Sequence, residues 1–195
     1  RKTNLICSRI TMDLDEKEFP MRDKDFKFLS SVAYEVSGIV LGDHKRELVY
    51  SRIARRIRRL GLEDFTQYCQ YLDDHRNDEI NFFLNSITTN LTSFFRESHH
   101  FEYLAKTIIP EFKKQSSKPI RIWSTACSSG PEPYSIAITL HKNMMVQNYK
   151  IKILATDLDS DCLAKAKAGE YDMEELGQLP RDYLSCFERK NNSCI

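Results

Sequence analysis

The run Ile120–Ala137, Ile-Arg-Ile-Trp-Ser-Thr-Ala-Cys-Ser-Ser-Gly-Pro-Glu-Pro-Tyr-Ser-Ile-Ala, constrains the fold more than any other part of the chain. Its β-branched and aromatic start (Ile120, Ile122, Trp123) predicts a strand. Small residues follow from Ser124 to Gly130, and small side chains let a backbone approach a ligand. Pro131 then opens a helix at a position where its missing N–H costs nothing, with Glu132 in the first turn. Strand, tight loop and helix make the first βα unit of a doubly wound α/β domain, the place where such folds bind a cofactor. A second strand, Ile151 to Thr156, ends in Asp157. In this architecture a ribose-binding carboxylate belongs about twenty residues past the loop.

Bulk properties narrow the class. The 195 residues allow one large domain or two small ones. With 41% hydrophobic and 29% charged residues, the chain suits a soluble globular protein with a core rather than disorder. A net charge of +1 implies no global polyanion-binding field. No apolar run approaches the roughly 18 residues needed to span a bilayer, and Arg1–Arg9 carries no secretory stretch. A cytoplasmic protein without membrane insertion is expected. Cys7, Cys69, Cys127, Cys162, Cys186 and Cys194 include no Cys-x-x-Cys pair, so reduced thiols are expected, with no zinc, no other metal and no disulfide framework. The chain begins without Met and ends in the polar run Arg189–Ile195, so it is expected to be a piece of a longer sequence.

Residues 1–20 read as a polar leader, 21–90 as a helical domain and 91–195 as an α/β domain. The first helix is expected from Asp25, as N-cap, to Gly38, carrying Phe26, Leu29, Val32, Ala33 and Val36 at helical spacing. Asp43 is expected to cap a second helix ending at Gly61. There Val49, Tyr50, Ile53, Ala54, Ile57 and Leu60 share one arc, and Arg52, Arg55, Arg56, Arg58 and Arg59 cover the rest. Glu47 is the one acid in residues 45–60. Like-charge neighbours on a helix cost a few tenths of a kcal/mol per pair. A docking face for an acidic partner is therefore favoured over a merely solvated face. A third helix (Glu63 to Leu72) and a fourth (Ile80 to Ile87) complete the bundle.

Thr88-Thr89-Asn90-Leu91-Thr92-Ser93-Phe94-Phe95-Arg96-Glu97 concentrates polar groups beside aromatics between two helices. Such a segment either lines a pocket or is a capped loop with a hydrophobic anchor. His99 and His100 begin the next helix and read as surface or cap residues. Helices to about Met145, from 160 to 168, and around Met173–Leu176 and Arg181–Phe187 are expected afterwards.

Three segments in order carry a family resemblance: Ile87–Glu97 followed by His99-His100-Phe101, the Trp123–Ser135 loop, and Leu154-Ala155-Thr156-Asp157-Leu158-Asp159. Over about residues 21 to 190 the chain resembles the CheR-type bacterial chemotaxis protein-glutamate O-methyltransferases. The resemblance implies a small N-terminal all-α helical domain followed by an incomplete Rossmann-like S-adenosylmethionine-dependent methyltransferase domain. It implies methylation of glutamate side chains on chemoreceptor cytoplasmic helices, with S-adenosyl-L-homocysteine as product. By motif position, Asn90, Thr92 and Arg96 would border the cofactor, Glu132 would meet its methionyl end, and Asp157 its ribose. Arg96 would also be the catalytic-site arginine. Arg52, Arg55, Arg56 and Arg59 match the helix that helps grip the receptor.

The chemistry suits these residues. A glutamate is ionised at pH 7, its reference pKa being about 4.3, so it needs no strong general base to attack a sulfonium methyl. Pro131 stands where the family usually has an acid, and Ser129 where it often has Thr. The family's later strands, its Asn-Leu and Arg-Asn-Val segments and its peptide-docking β-subdomain do not occur in the 195 residues. A two-stranded sheet with an open edge is expected to bind cofactor weakly and catalyse little. The alternative is a non-catalytic receptor-binding module acting through the basic helix. Nucleic acid is disfavoured as a partner, since no aromatic-interleaved basic groove is present. A nicotinamide dehydrogenase is disfavoured because the loop lacks the glycines a pyrophosphate requires.

Overall fold

The computed structural model describes residues 17–114, 119–177, 179–190 and 193–194. Most of the leader, with Cys7, and part of the polar tail lie outside the described residues. Two compact units divide at Arg76/Asn77.

The first unit is helical. Helix α1 (Asp23–Ser37) begins two residues before Asp25, which sits inside the first turn instead of capping it. Its buried carboxylate accepts from Arg22 N at 2.9 Å and from the Thr66 hydroxyl at 3.0 Å. Asp25 thus ties the entry of α1 to α3 (Phe65–Asp74), a long-range role that local spacing does not show. A 3-10 turn, Asp43–Lys45, leads into α2 (Arg46–Leu60), closed by Gly61 at φ +69, the left-handed conformation that glycine enters without a Cβ penalty. Asp64 caps α3 by accepting from Gln67 N at 2.8 Å. Leu29, Val49, Ile53, Ile57, Phe65, Tyr68 and Leu72 form the core, and Tyr50 stacks on Phe65.

Helix α4 (Arg76–Ile87) falls almost wholly in the second unit. There Asn85 and Thr88 reach Ser160 and Asp159. A near-continuous helix follows as α5 (Ser98–Tyr103), a π-helical turn Leu104–Ile108 and α6 (Ile109–Lys114). Strands β1 (Ile120–Ser124) and β2 (Ile151–Ala155) pair in parallel, Ile120 opposite Ile151 and Ser124 opposite Ala155. Helix α7 (Pro131–Asn143) connects them, and α8 (Ser160–Ala168) follows β2. Side chains alternate across a strand. Ile120, Ile122, Ile151 and Ile153 therefore share one face, packed with Ile109, Leu140 and Met144. The opposite face carries Trp123, 63% exposed, directly opposite Leu154, 58% exposed. This is the βαβ start of a Rossmann-like fold, with one sheet face covered among the described residues.

The remainder forms a small cap: β3 (Tyr171–Asp172), α9 (Met173–Leu176), α10 (Arg181–Leu184), β4 (Arg189–Lys190) and β5 (Ser193–Cys194). The strands pair antiparallel in the order β3-β5-β4, a sheet too short to leave an alternating pattern in the sequence. Tyr171 and Leu176 are buried with Phe94, against which Phe95, Tyr134, Leu184 and Phe187 pack.

Candidate cofactor and catalytic site

Two chain crossings at the ends of β1 and β2 build the site. The parallel ladder continues past the strands, Thr156 N donating to Ser124 O and Cys127 N to Thr156 O, both at 3.0 Å. This brings Asp157 against the loop after β1. One carboxylate oxygen accepts from Ser128 N at 2.7 Å and the other from Asp159 N at 2.9 Å. Each oxygen keeps lone-pair capacity for a further donor such as a ribose hydroxyl.

The Thr88–Glu97 turn is fastened to the same loops. Ser128 Oγ donates to Asn90 O at 3.0 Å, and Asn90 Nδ2 donates to Asp159 Oδ2 at 2.5 Å. Ser135 Oγ accepts from Phe95 N at 2.9 Å, anchoring the far end of the turn to α7. Asn90 is left with its amide oxygen, and the half-buried Thr92 hydroxyl has no protein partner among the described residues. Arg96 is exposed and commits one terminal nitrogen to Leu91 O at 2.8 Å, leaving Nε and the other terminal nitrogen for an anion. Phe95 and Glu97 flank it at φ +53 and +57. Left-handed backbone at non-glycine residues costs on the order of 1–3 kcal/mol each and clusters at functional sites. Phe94, buried against Tyr171 at 4.8 Å between ring centroids, holds that turn down.

Glu132 lies in the first turn of α7, where Ser124 Oγ donates to its Oε1 at 2.6 Å. Helix N-termini ordinarily offer free N–H groups to anions. Here Pro131 and Pro133 have none, and Tyr134 N is spent on Gly130 O. A carboxylate in place of those donors suits a cation and opposes a pyrophosphate. Gly130 has a different reason from the ligand approach expected of the loop. Its φ is +103, and an added Cβ would lie 2.5 Å from the Tyr171 hydroxyl and 3.1 Å from Ala166 Cα. It is glycine so that α8 and the cap can close on the loop.

Asn90, Thr92, Arg96, Glu132 and Asp157 thus all lie in the second unit, on segments cross-linked by hydrogen bonds. Asp159, Ser124, Ser128 and Ser135 were not singled out from sequence. Of these, Asp159 had a readable signal, an acidic residue just ahead of a helical run. Four arginines singled out for docking lie on α2 in the first unit. Arg55 and Arg59 are exposed with no partner among the described residues, whereas Arg52 and Arg56 are half-buried. Arg58 pairs with Glu18, an acid outside α2 that relieves part of its charge, whereas Glu47 within α2 pairs with Lys17 outside it.

Cys69, Cys127, Cys162 and Cys186 are free thiols. Burial pushes Cys69 up to about 12, with Asp25 adding to the rise. Burial also raises Cys127, beside Asp157, and Cys162. These thiols are suited to packing rather than nucleophilic chemistry. Among the described residues no helix is long and apolar enough to cross a membrane.

Comparison with known proteins finds matches to both parts of the chain. Residues 24–88 match the all-alpha domain of the CheR methyltransferases, and residues 90–194 match their SAM-binding domain. The chain is 42% identical to the chemotaxis protein methyltransferase of Escherichia coli K12 over 187 residues, 95% of this chain and 64% of that protein. It is 44% identical to the chemotaxis protein methyltransferase of Salmonella typhimurium over 168 residues, 86% of this chain and 57% of that protein. A probable chemotaxis protein methyltransferase of Rhizobium etli is 46% identical over 147 residues, 73% of this chain and 55% of that protein. The chain therefore spans between about half and two thirds of these relatives' length. With both domain families matched in order over most of its residues, the chain belongs to the CheR methyltransferase family.

Proposed function

We propose that this chain carries the cofactor-binding and receptor-docking parts of a cytoplasmic methyltransferase acting on glutamate side chains of chemoreceptor cytoplasmic helices, with S-adenosyl-L-homocysteine as product. The observation that carries the reading is the convergence of the Asn90–Arg96 turn, the Ser128 loop and Asp157 through four short hydrogen bonds. Bound S-adenosylmethionine would supply an electrophilic sulfonium methyl. Asp157 holds two lone pairs ready for ribose hydroxyls, and Glu132 meets the ammonium of the methionyl end. Asn90 and Thr92 supply the polar wall between them. Arg96 orients the incoming carboxylate with its uncommitted nitrogens, a fork suited to two parallel hydrogen bonds. No base is required of the protein, because the acceptor is already ionised at pH 7. The rate gain comes from alignment and exclusion of water. The exposed Arg55 and Arg59 on α2 would attract an acidic helical client. Titration calorimetry with S-adenosyl-L-homocysteine, alongside radiolabelled methyl transfer to receptor fragments, tests the assignment. Absence of any binding by the chain, with Asp157→Ala unchanged from the parent, would overturn the cofactor site.

A second reading treats the chain as a docking module without chemistry. The exposed Arg55 and Arg59 on α2, without partners among the described residues, favour it. Replacing Arg55, Arg56 and Arg59 with Glu would then abolish receptor capture and leave cofactor binding untouched.

A further inference from the structure

We propose that Ser124 is a positioning residue that fixes Glu132 for recognition of the cofactor's ammonium group, and so sets the preference for ligands that carry an amino-acid end. The inference rests on the cofactor reading above and adds a residue to it. Ser124 is 1% exposed and is the last residue of β1. Its backbone is held by the ladder to Thr156, so its hydroxyl is presented from a rigid strand end. That hydroxyl donates to Glu132 Oε1 at 2.6 Å, and Oε2 has no protein partner among the described residues. No Lys or Arg pairs with Glu132 among the described residues.

The choice of partner matters. A cation at this place would neutralise the carboxylate before a ligand arrived, whereas a neutral hydroxyl orients it and leaves its charge available. A serine also has a single side-chain rotor, so it loses little entropy in restraining the longer glutamate. The first turn of α7 offers an anion little, since Pro131 and Pro133 lack N–H groups and Tyr134 N donates to Gly130 O, which leaves the N–H of Glu132 alone. The corner formed by Ser124, Glu132 and the two prolines therefore reads positive charge.

The test compares two ligands that share adenosine and a thioether and differ in the amino-acid end: S-adenosyl-L-homocysteine and 5′-methylthioadenosine. Ser124→Ala is expected to weaken S-adenosyl-L-homocysteine about five- to tenfold, the scale of one ordinary hydrogen bond, because the serine acts on the ligand only through Glu132, and to leave methylthioadenosine unchanged. Ser124→Thr, which keeps the hydroxyl, is expected to restore the parent affinity. In the Glu132→Gln background, Ser124→Ala is expected to add no further loss, because it acts through Glu132. Equal weakening of both ligands by Ser124→Ala would make the role structural and overturn the proposal, as would a full additional loss in the Glu132→Gln background. If the parent chain binds both ligands equally well, the ammonium corner is wrong while the adenosine site stands. If it binds neither, the cofactor reading falls and this proposal with it.

Discussion

Replacing Asp159 with Ala should cost the second unit more than any other single change at the site. The carboxylate is 3% exposed and every lone pair is used. Oδ1 accepts from Asp161 N at 2.9 Å and Cys162 N at 3.1 Å, capping α8. Oδ2 accepts from Asn90 Nδ2 at 2.5 Å and lies 3.0 Å from the Thr88 hydroxyl. Losing the N-cap costs about 1 kcal/mol. Losing a hydrogen bond to a charged group costs about 1.5–3 kcal/mol. Thr88 and Asn90 are half-buried and regain some water, so the lower figure applies to each. The sum is about 4 kcal/mol, against the roughly 5–15 kcal/mol that holds a typical domain folded. With a urea m-value of about 2 kcal/mol/M, the midpoint falls by about 2 M.

Trp123 makes the assay specific. It is the single tryptophan, it lies in the second unit, and its indole N–H donates to Thr156 Oγ1 at 3.0 Å, one residue before Asp157. Its fluorescence during urea unfolding reports the βαβ unit rather than the helical one. Asp159→Ser is expected to recover the cap, about 1 kcal/mol, and none of the tie to Asn90. An Asp159→Ala midpoint within 0.5 M of the parent, roughly 1 kcal/mol at that slope, would refute the ledger. Full recovery by Asp159→Ser would show that the Asn90 contact contributes nothing.

Other changes have equally definite expectations. Gly130→Ala should destabilise the same unit by about 2–3 kcal/mol through strain at φ +103 and the clash with Tyr171, and Tyr171→Phe should relieve only the hydroxyl part, read by the same unfolding curve. Arg55→Glu with Arg59→Glu should abolish co-sedimentation with receptor fragments while shifting stability by less than about 0.5 kcal/mol, since both side chains are exposed. Iodoacetamide at pH 8 should label exposed Cys186 quickly and spare buried Cys69, Cys127 and Cys162 until the chain unfolds, as mass spectrometry of digests would show. Cys69 is raised from the usual value of about 8.5 to about 12, so the folded state keeps a proton that the unfolded state loses. Its stability contribution is complete below about pH 8.5 and drains away as pH rises towards 12, and Cys69→Ala should flatten that alkaline slope in pH-dependent unfolding.

The fold is most legible in the sequence where one residue type decides one local event. Gly38 and Gly61 end helices at φ +73 and +69, and Pro131 opens α7, all as the sequence predicts. The βαβ order was legible because a strand, a small-residue loop and a proline-led helix leave distinct marks. What escaped was long-range. Asp25 looks like a helix cap in sequence, but its second oxygen belongs to Thr66, forty-one positions away. Gly130 looks like a ligand-approach glycine, but it makes room for Tyr171 and Ala166. Asp159 was legible as a cap, while its tie to Asn90 spans sixty-nine positions. The left-handed residues Phe95 and Glu97 could not be foreseen, since neither type prefers that conformation.

These misses share a cause. Asp25, Gly130 and Asp159 each make a polar or steric contact with a residue far along the chain, and at the site in the second unit such contacts run through serines and carboxylates rather than through ion pairs. Ser124, Ser128 and Ser135 each hold a different site segment, with Glu132, Asn90 and Phe95 as their partners. A hydroxyl can fix geometry without neutralising charge, so Glu132 is held in place with no ion pair among the described residues, and Arg96 is likewise in none. A site intended for a ligand that is itself charged at two ends gains from that arrangement, because each protein charge remains available for the ligand. Ionic cross-links would have given comparable rigidity only by neutralising the groups that recognition uses.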